Sequence, residues 1–321
     1  MLLNIFPQKS FGVSVGLFIL LLIAPAIIPK FYTYILAVIF VTALLAMSLN
    51  LVVGHGGLFQ FHHGVFYGVG AYVGGLILAK TSLPWWVAFI AGPIAAAVTG
   101  FLIGLFCIRL NRLYFGMLQI SLGSLLWVIA FRWYDLTGGD DGIHGIPIPE
   151  FISSSKSSYY LVLIILCICL ILLYLILKSP FGSALQAIRD NPERCAAVGI
   201  NVRRHQLAAI VIATFFAGVA GILFVVVEGS IFPELLFWVL SLEIFIMCLL
   251  GGWFTFAGPI LGAAVIVSLR TFVGTYTEYW TLILGVILIL LIFFLPEGLM
   301  GYNFLAKFRS WSKRAAASSV D

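Results

Sequence analysis

Charge is what this chain has least of. Asp, Glu, Lys and Arg make up 9% of its 321 residues, against 63% hydrophobic, whereas a soluble domain carries about 25% charged residues. So few charges cannot solvate the surface of a soluble core this large. The class that remains is an all-α polytopic membrane protein. Cysteine is sparse as well. Cys107, Cys167, Cys169 and Cys248 lie in apolar runs and Cys195 in a polar stretch. Their spacing fits neither a disulfide framework nor a metal site, which leaves buried free thiols. No G-x-x-x-x-G-K-[ST] loop is present, so the chain does not bind ATP by that device. No nucleophile–base arrangement is visible, which speaks against an enzyme. The net charge of +5 sits in short loops between apolar runs. That is the pattern of membrane orientation rather than of a nucleic-acid partner.

What the chain has in abundance is long apolar segments. At about 20 residues per crossing, the candidate spans are 11–29, 32–53, 64–80, 85–108, 114–132, 159–177, 206–227, 237–256, 259–273 and 278–295. The first is too long, and its PAIIPK end too bulky, for a cleaved signal, so it is taken as a retained span. Segments 64–80 and 259–273 are short and open to a re-entrant or broken reading, which gives about 8–10 transmembrane helices. Placing the N-terminus inside leaves only Lys30, Lys80, Arg132, Lys156 and Arg270 of the 17 basic residues outside, as the positive-inside rule requires. The outer loop 133–158 instead carries Asp135, Asp140, Asp141 and Glu150. Both termini are then cytoplasmic. Residues 1–306 form one transmembrane domain, and 307–321 a basic tail suited to an anionic lipid surface. Small residues at four-residue spacing, Gly70/Gly74, Gly100/Gly104, Ala217/Gly221 and Gly258/Gly262, point to close helix packing in lipid.

One long polar island interrupts this pattern, KSPFGSALQAIRDNPERCAAVGINVRRH, from Lys178 to His205. It holds Lys178, Arg189, Arg194, Arg203 and Arg204 against Asp190 and Glu193, so it belongs on the cytoplasmic side. Phe181, Ala184, Leu185 and Ile188 share one helical face. Asn191 suits an N-cap, Pro192 the first helical position and Glu193 the positive end of the helix dipole. Gly199 is placed to end the second helix in the left-handed conformation. The island is therefore expected to be two short helices joined at a corner. Leu185, Ile188, Ala196 and Val198 would pack into a partner groove or back against the spans. An amphipathic loop lying on lipid is the alternative. The acid–base pair Arg189-Asp190 at the corner favours a protein partner.

At these residues the chain resembles the permeases of branched-chain amino acid ABC importers, the LivHM type, and within it the LivM-like subunit. The stretch GSALQAIRDNPERCAAVGINVRRHQLAAIVIATFFAGVAGIL resembles that family's cytoplasmic coupling loop and following span. SLNLVVGHGGLFQFHHGVFYGVGAY (48–72), LTGGDDGIHGIP (136–147) and GGWFTFAGPILGAAVI (251–266) follow in the family's order. His62-His63 and Trp253 depart from the family's usual residues. The resemblance implies a permease without a nucleotide site or cofactor of its own. Its partners would be a sister permease, two cytoplasmic ATP-binding subunits and an external substrate-binding protein, in a bacterial inner membrane. Gly182, Ala187, Arg189, Asp190, Asn191 and Gly199 fall on the family's recurrent loop positions, where an ATPase subunit would dock.

Other residues stand out on chemical grounds. Glu243 lies in the apolar run LLFWVLSLEIFIMCLL, and an ionisable group there suggests function. It could be protonated, paired with a base such as Arg270, line a pathway, or sit at the interface. His55, His62 and His63 crowd into GHGGLFQFHH. With no Cys or carboxylate close by in sequence, a broken helix near the pathway fits better than a metal site. Segment 54–64 is accordingly the leading pathway candidate, flanked by Asn50 and carrying Gln60. Thr137–Gly142 is a tight outer turn, open either to a binding protein or to solvent alone. An ion-coupled secondary transporter of a small polar solute is the competing function. It would require embedded ionisable groups beyond Glu243.

Overall fold

Long apolar runs have one cheap way to satisfy their backbone in lipid, and this chain takes it. In a computed structural model, which describes residues 8–110, 112–276, 279, 282–283, 285–287, 289, 293 and 298–301, the runs are helices that close their own hydrogen bonds. They are α1 (Gln8–Ile27), α2 (Lys30–Asn50), α3 (Gly64–Lys80), α4 (Trp85–Cys107), α5 (Arg112–Arg132), α8 (Ser155–Lys178), α11 (Val202–Glu228), α12 (Trp238–Gly251) and α13 (Gly258–Tyr276). Short helices α6 (Tyr134–Thr137), α7 (Glu150–Ser153), α9 (Pro180–Asp190) and α10 (Pro192–Ala197) fill the connections. Among the described residues there is no strand. One isolated antiparallel bridge pairs Ile143 with Ile231. Most of the span expected at 278–295, and the 307–321 tail, lie outside the described residues.

Among the described residues, six helical segments are long and apolar enough to cross a membrane: Lys30–His55, Trp85–Cys107, Leu113–Arg132, Ser155–Lys178, Val202–Glu228 and Gly258–Tyr276. Segment 259–273, expected to be short, belongs to one of these. The shorter apolar helical segments among the described residues are Phe18–Ile27 of α1, α3 and α12. At 14 residues α12 reaches about 21 Å, short of the roughly 30 Å hydrocarbon core. It ends at Gly252, whose φ of 107° breaks the helix ahead of α13.

The centre of the bundle is α2, whose second half is apolar on nearly every side, as an enclosed helix must be. It is buried without interruption from Ala43 to Asn50 and packs against α8, α11, α12 and α13. The expected small-residue packing is seen where α3, α4 and α11 meet. A Cβ on Gly70 would stand 2.5 Å from Gly218 Cα, and one on Gly92 2.7 Å from Gly70 O. Side chains at these points would force the backbones apart. On the periphery, Leu113, Met117, Leu125 and Ile129 of α5 are exposed, as a lipid-facing helix requires.

Candidate functional site

The island folds as two capped helices. Ser179 Oγ accepts the Gly182 N–H at 3.4 Å to open α9, and Asn191 Oδ1 accepts the Arg194 N–H at 2.9 Å to open α10. Gly199 follows α10 with φ 89°, the left-handed geometry that glycine adopts without a Cβ penalty. Leu185 and Ile188 are buried where α9 packs against α8, α11 and the turn after α2. Ala187, Asp190, Glu193, Ala196 and Val198 are exposed. The apolar face thus divides, with α9 packed on the chain's own spans and Ala196 and Val198 outward.

Arg189 is turned into the bundle. Its Nη1 donates to Gly54 O at 2.8 Å, its Cζ lies 5.1 Å from the centroid of the Phe254 ring, and its Nη2 is 3.0 Å from Asp190 Oδ1. Gly54 belongs to a π-helical turn, Leu51–His55, that ends α2. Phe254 belongs to the turn joining α12 to α13. These two turns also meet directly, since Asn50 Nδ2 donates to Thr255 O at 3.3 Å. One guanidinium therefore binds the island to the ends of three helices.

At the far ends of the same helices lies a cavity of about 890 Å3, within the roughly 300–1,000 Å3 range of small-molecule sites. α2 lines it with Tyr34, Ile35, Val38, Thr42 and Leu45, and α12 with Val239, Leu240, Glu243, Ile244 and Met247. Val267, Arg270 and Thr271 of α13 and Tyr67 of α3 complete the wall. Asp140, Glu228 and Glu234 also line it. All three belong to the face opposite the island, because α11 starts beside the island and ends at Glu228. From Tyr34 down to Leu45 the lining descends about 16 Å along α2, roughly half the bilayer core. Tyr34 hydroxyl donates to Glu228 Oε1. Arg270 Nη1 stands 3.7 Å from Glu243 Oε2.

The rim is held by the loop between α5 and α8. Ile143 and Ile231 exchange backbone hydrogen bonds of 2.9 and 2.8 Å, and the Ile146 N–H donates to Gly229 O at 3.0 Å. Tyr134 hydroxyl donates to Asp140 Oδ1 at 2.8 Å, and that carboxylate raises the phenol's pKa by favouring its protonated form. Lys80 Nζ donates to the carbonyls of Asp135 and Leu136 at 2.6 and 2.8 Å.

A helical membrane bundle with a cavity at one face and a folded polar island at the other corresponds to what comparison with known proteins returns. Residues 31–292 match the family described as the permease component of the branched-chain amino acid transport system. The chain belongs to this family. It is similar to the high-affinity branched-chain amino acid transport system permease protein LivM of Escherichia coli K12, 28% identical over 320 residues that cover 91% of this chain and 75% of that protein. LivM of Salmonella typhimurium LT2 is 29% identical over 284 residues, 80% of this chain and 67% of its own length. LivH of Escherichia coli K12 is 25% identical over 283 residues, 81% of this chain and 91% of that protein. No solved structure matches the chain.

In this permease component, Glu243 is the one sequence-nominated pathway residue that lines the cavity, and it is opposed by Arg270, the base suggested for it. Asn50 and His55 lie toward the island, at the broken end of α2, whereas Gln60 and His62 belong to the irregular segment between that end and α3. The segment is indeed irregular between His55 and Gly64. His55 Nδ1 contacts Asn50 O at 3.2 Å, His62 lies between Ile120 O and Leu236 O at 3.2 and 2.9 Å, and His63 Nε2 meets Ser48 Oγ at 2.8 Å. Among the described residues no group of three or more His, Cys, Asp or Glu is placed to hold a metal. Gln60 is fully buried with neither amide atom hydrogen-bonded, and Asn50 Oδ1 is likewise unpartnered. Sequence reasoning passed over Tyr34, Tyr67, Glu228 and Glu234. Glu228 carried a usable signal, an acid in the last turn of an otherwise uncharged stretch of span. The others are recognisable only once distant segments meet.

Proposed function

We propose that this permease component forms part of the translocation path of an ATP-driven importer for branched-chain or related amino acids. The observation that carries it is that one set of helices joins the two features. α2 and α11 line the cavity at one face and hold the island at the other, and the turn between the cavity-lining helices α12 and α13 touches Arg189. Movement imposed on the island has a packed route to the cavity walls. The energy would come from two cytoplasmic ATP-binding subunits, one of them seated on the exposed surface around Ala187, Asp190, Ala196 and Val198. Gly182 and Asn191 would keep the corner folded, and Gly199 would end it. LivM and LivH relatives both match the chain, which supports pairing with a sister permease. The acidic rim, with Thr137–Gly142 beside it, would meet an external substrate-binding protein. The protein would reside in the inner membrane of a bacterium with both termini cytoplasmic.

Reconstitution in proteoliposomes tests this. Uptake of labelled leucine should require the chain, a LivH-type sister, the ATPases, a binding protein and ATP. Arg189→Ala and Asp190→Ala should hydrolyse ATP with little uptake while inserting normally. Gradient-driven uptake by the chain alone, without ATP, would sink the reading in favour of a secondary carrier. Normal uptake by both variants would remove the coupling role from this corner.

A further inference from the structure

Between the island and the floor of the cavity runs a strap of irregular backbone, residues 56–63, that joins α2 to α3. It starts beside the island, where a Cβ on Gly57 would stand 2.6 Å from Arg189 Cγ. It ends at His63, whose Nε2 meets Ser48 Oγ at 2.8 Å. Ser48 lies about 10 Å along the helix from the end of the π-helical turn at His55. Its Oγ also donates to the carbonyl of Leu45 at 2.7 Å, and Leu45 lines the cavity. Irregular backbone inside a membrane bundle is tolerated only where protein covers it or where it lines a watery path. Here protein covers it. α5 closes one side, since a Cβ on Gly116 would stand 2.5 Å from the Phe61 ring and one on Gly123 2.1 Å from the His62 ring. α12 closes another, with the Phe245 ring 5.7 Å from that of Phe61 and Ser241 Oγ accepting the Gly64 N–H.

The polar groups sealed in this way are poorly served. Gln60, His63 and Gln119 are buried, and Gln119 lies between Gly116 and Gly123 on the same face of α5. Both amide atoms of Gln60, His63 Nδ1 and Gln119 Oε1 have no hydrogen-bond partner among the described residues. Buried polar atoms without partners are costly, and water satisfies them. The seated strap is therefore opposed by its own side chains. We propose that residues 56–63 are the gate on the island side of the cavity. Here the gate is shut. In the opposite state of the transport cycle it swings away from α5 and α12 about Gly56 and Gly57, and Gln60, His63 and Gln119 meet water. This rests on the translocation reading above and adds to it the part that moves and the residues it wets. The contact with Arg189 puts the strap under the control of the island.

The test uses the assembled transporter in nanodiscs, nucleotide-free and trapped with ATP and vanadate. Gln60→Cys reports on the strap. Val239→Cys, at a residue that lines the cavity and is 46% exposed, reports on the cavity. Labelling by N-ethylmaleimide is read by mass spectrometry on the peptides that carry residues 60 and 239, so the native cysteines do not count. Passing from one state to the other should change the two rates in opposite directions, residue 60 by about tenfold or more. In the unmodified chain, amides of 56–63 should exchange about tenfold or more faster in one of the two states, with α4 unchanged. This readout decides alone if Gln60→Cys does not assemble. Residue 60 reacting equally in both states, or rising and falling together with residue 239, overturns the gate. So does exchange over 56–63 that is the same in both states. If the wild-type assembly imports no leucine, the translocation reading falls and the gate with it. If it imports leucine while the strap stays covered in both states, the gate alone falls.

Discussion

Replacing Arg189 by alanine should loosen the island without dismantling it. Three contacts are lost. The hydrogen bond from Nη1 to Gly54 O, 2.8 Å long, has a charged donor and is worth about 1.5–3 kcal/mol. The approach to the Phe254 ring at 5.1 Å adds about 0.5–1 kcal/mol at a half-exposed site. The pair with Asp190 joins side chains that are 26% and 69% exposed, and solvent screening holds it to about 0–1 kcal/mol. Together they come to about 2–5 kcal/mol, or roughly a 30- to 4,000-fold rise in the fraction of time α9 is detached. Leu185 and Ile188 stay buried in the variant, so the bundle should still assemble and insert. Amide hydrogen exchange read by mass spectrometry in nanodiscs measures this directly. Residues 180–190 and the turn 51–57 should exchange faster by that factor, while α3 and α4 should not change. Asp190→Ala should shift the same amides by less than about 1 kcal/mol. Arg189→Lys should fall between the two, because an ammonium keeps the charge and loses the fork. Unchanged protection in Arg189→Ala, or an equal effect from Asp190→Ala, would refute the reasoning that the Gly54 carbonyl anchors the island.

Gly57 offers a second approach to the same contact. Its φ is 67° and a Cβ there would stand 2.6 Å from Arg189 Cγ. Gly57→Ala should therefore cost about 1–2 kcal/mol in backbone strain and also speed exchange in α9. Ser241 is fully buried and its Oγ accepts the Gly64 N–H at 2.9 Å. Ser241→Ala leaves that donor unsatisfied at the start of α3 and should lower stability by about 1–3 kcal/mol, seen as a reduced melting temperature in detergent. Gln60 has two buried amide atoms without partners, so Gln60→Met, similar in shape, should leave the melting temperature unchanged or raise it. A fall of several degrees would show that the amide makes a stabilising contact.

The membrane class, the positions of most helices and the two-helix form of the island were legible in the sequence because each depends on short-range physics. Apolar run length sets the spans, and a capping residue acts on an amide three residues away, as Asn191 does on Arg194. The small-residue pairs were legible for a similar reason, since spacing along one helix places them on one face, although their partners such as Gly218 were not. The shortness of α12 was hidden. Residues 252–257 look apolar enough to prolong a span, and the break at Gly252 is a matter of how that turn packs against Gly54 and Asn50.

By itself, the sequence determined that the chain crosses a membrane repeatedly, that its longest polar stretch is one basic island, and that Glu243 is an anomaly in an apolar run. Only the tertiary structure decided what these residues do. It turned Arg189 inward to a carbonyl 135 positions away, and it brought Tyr34, Glu228, Glu243 and Arg270 to one cavity from four separate helices. The reason is physical. Caps and apolar faces are set by neighbours within a helical turn, whereas a cavity or an anchoring contact exists only where distant helices meet, and packing alone sets that meeting.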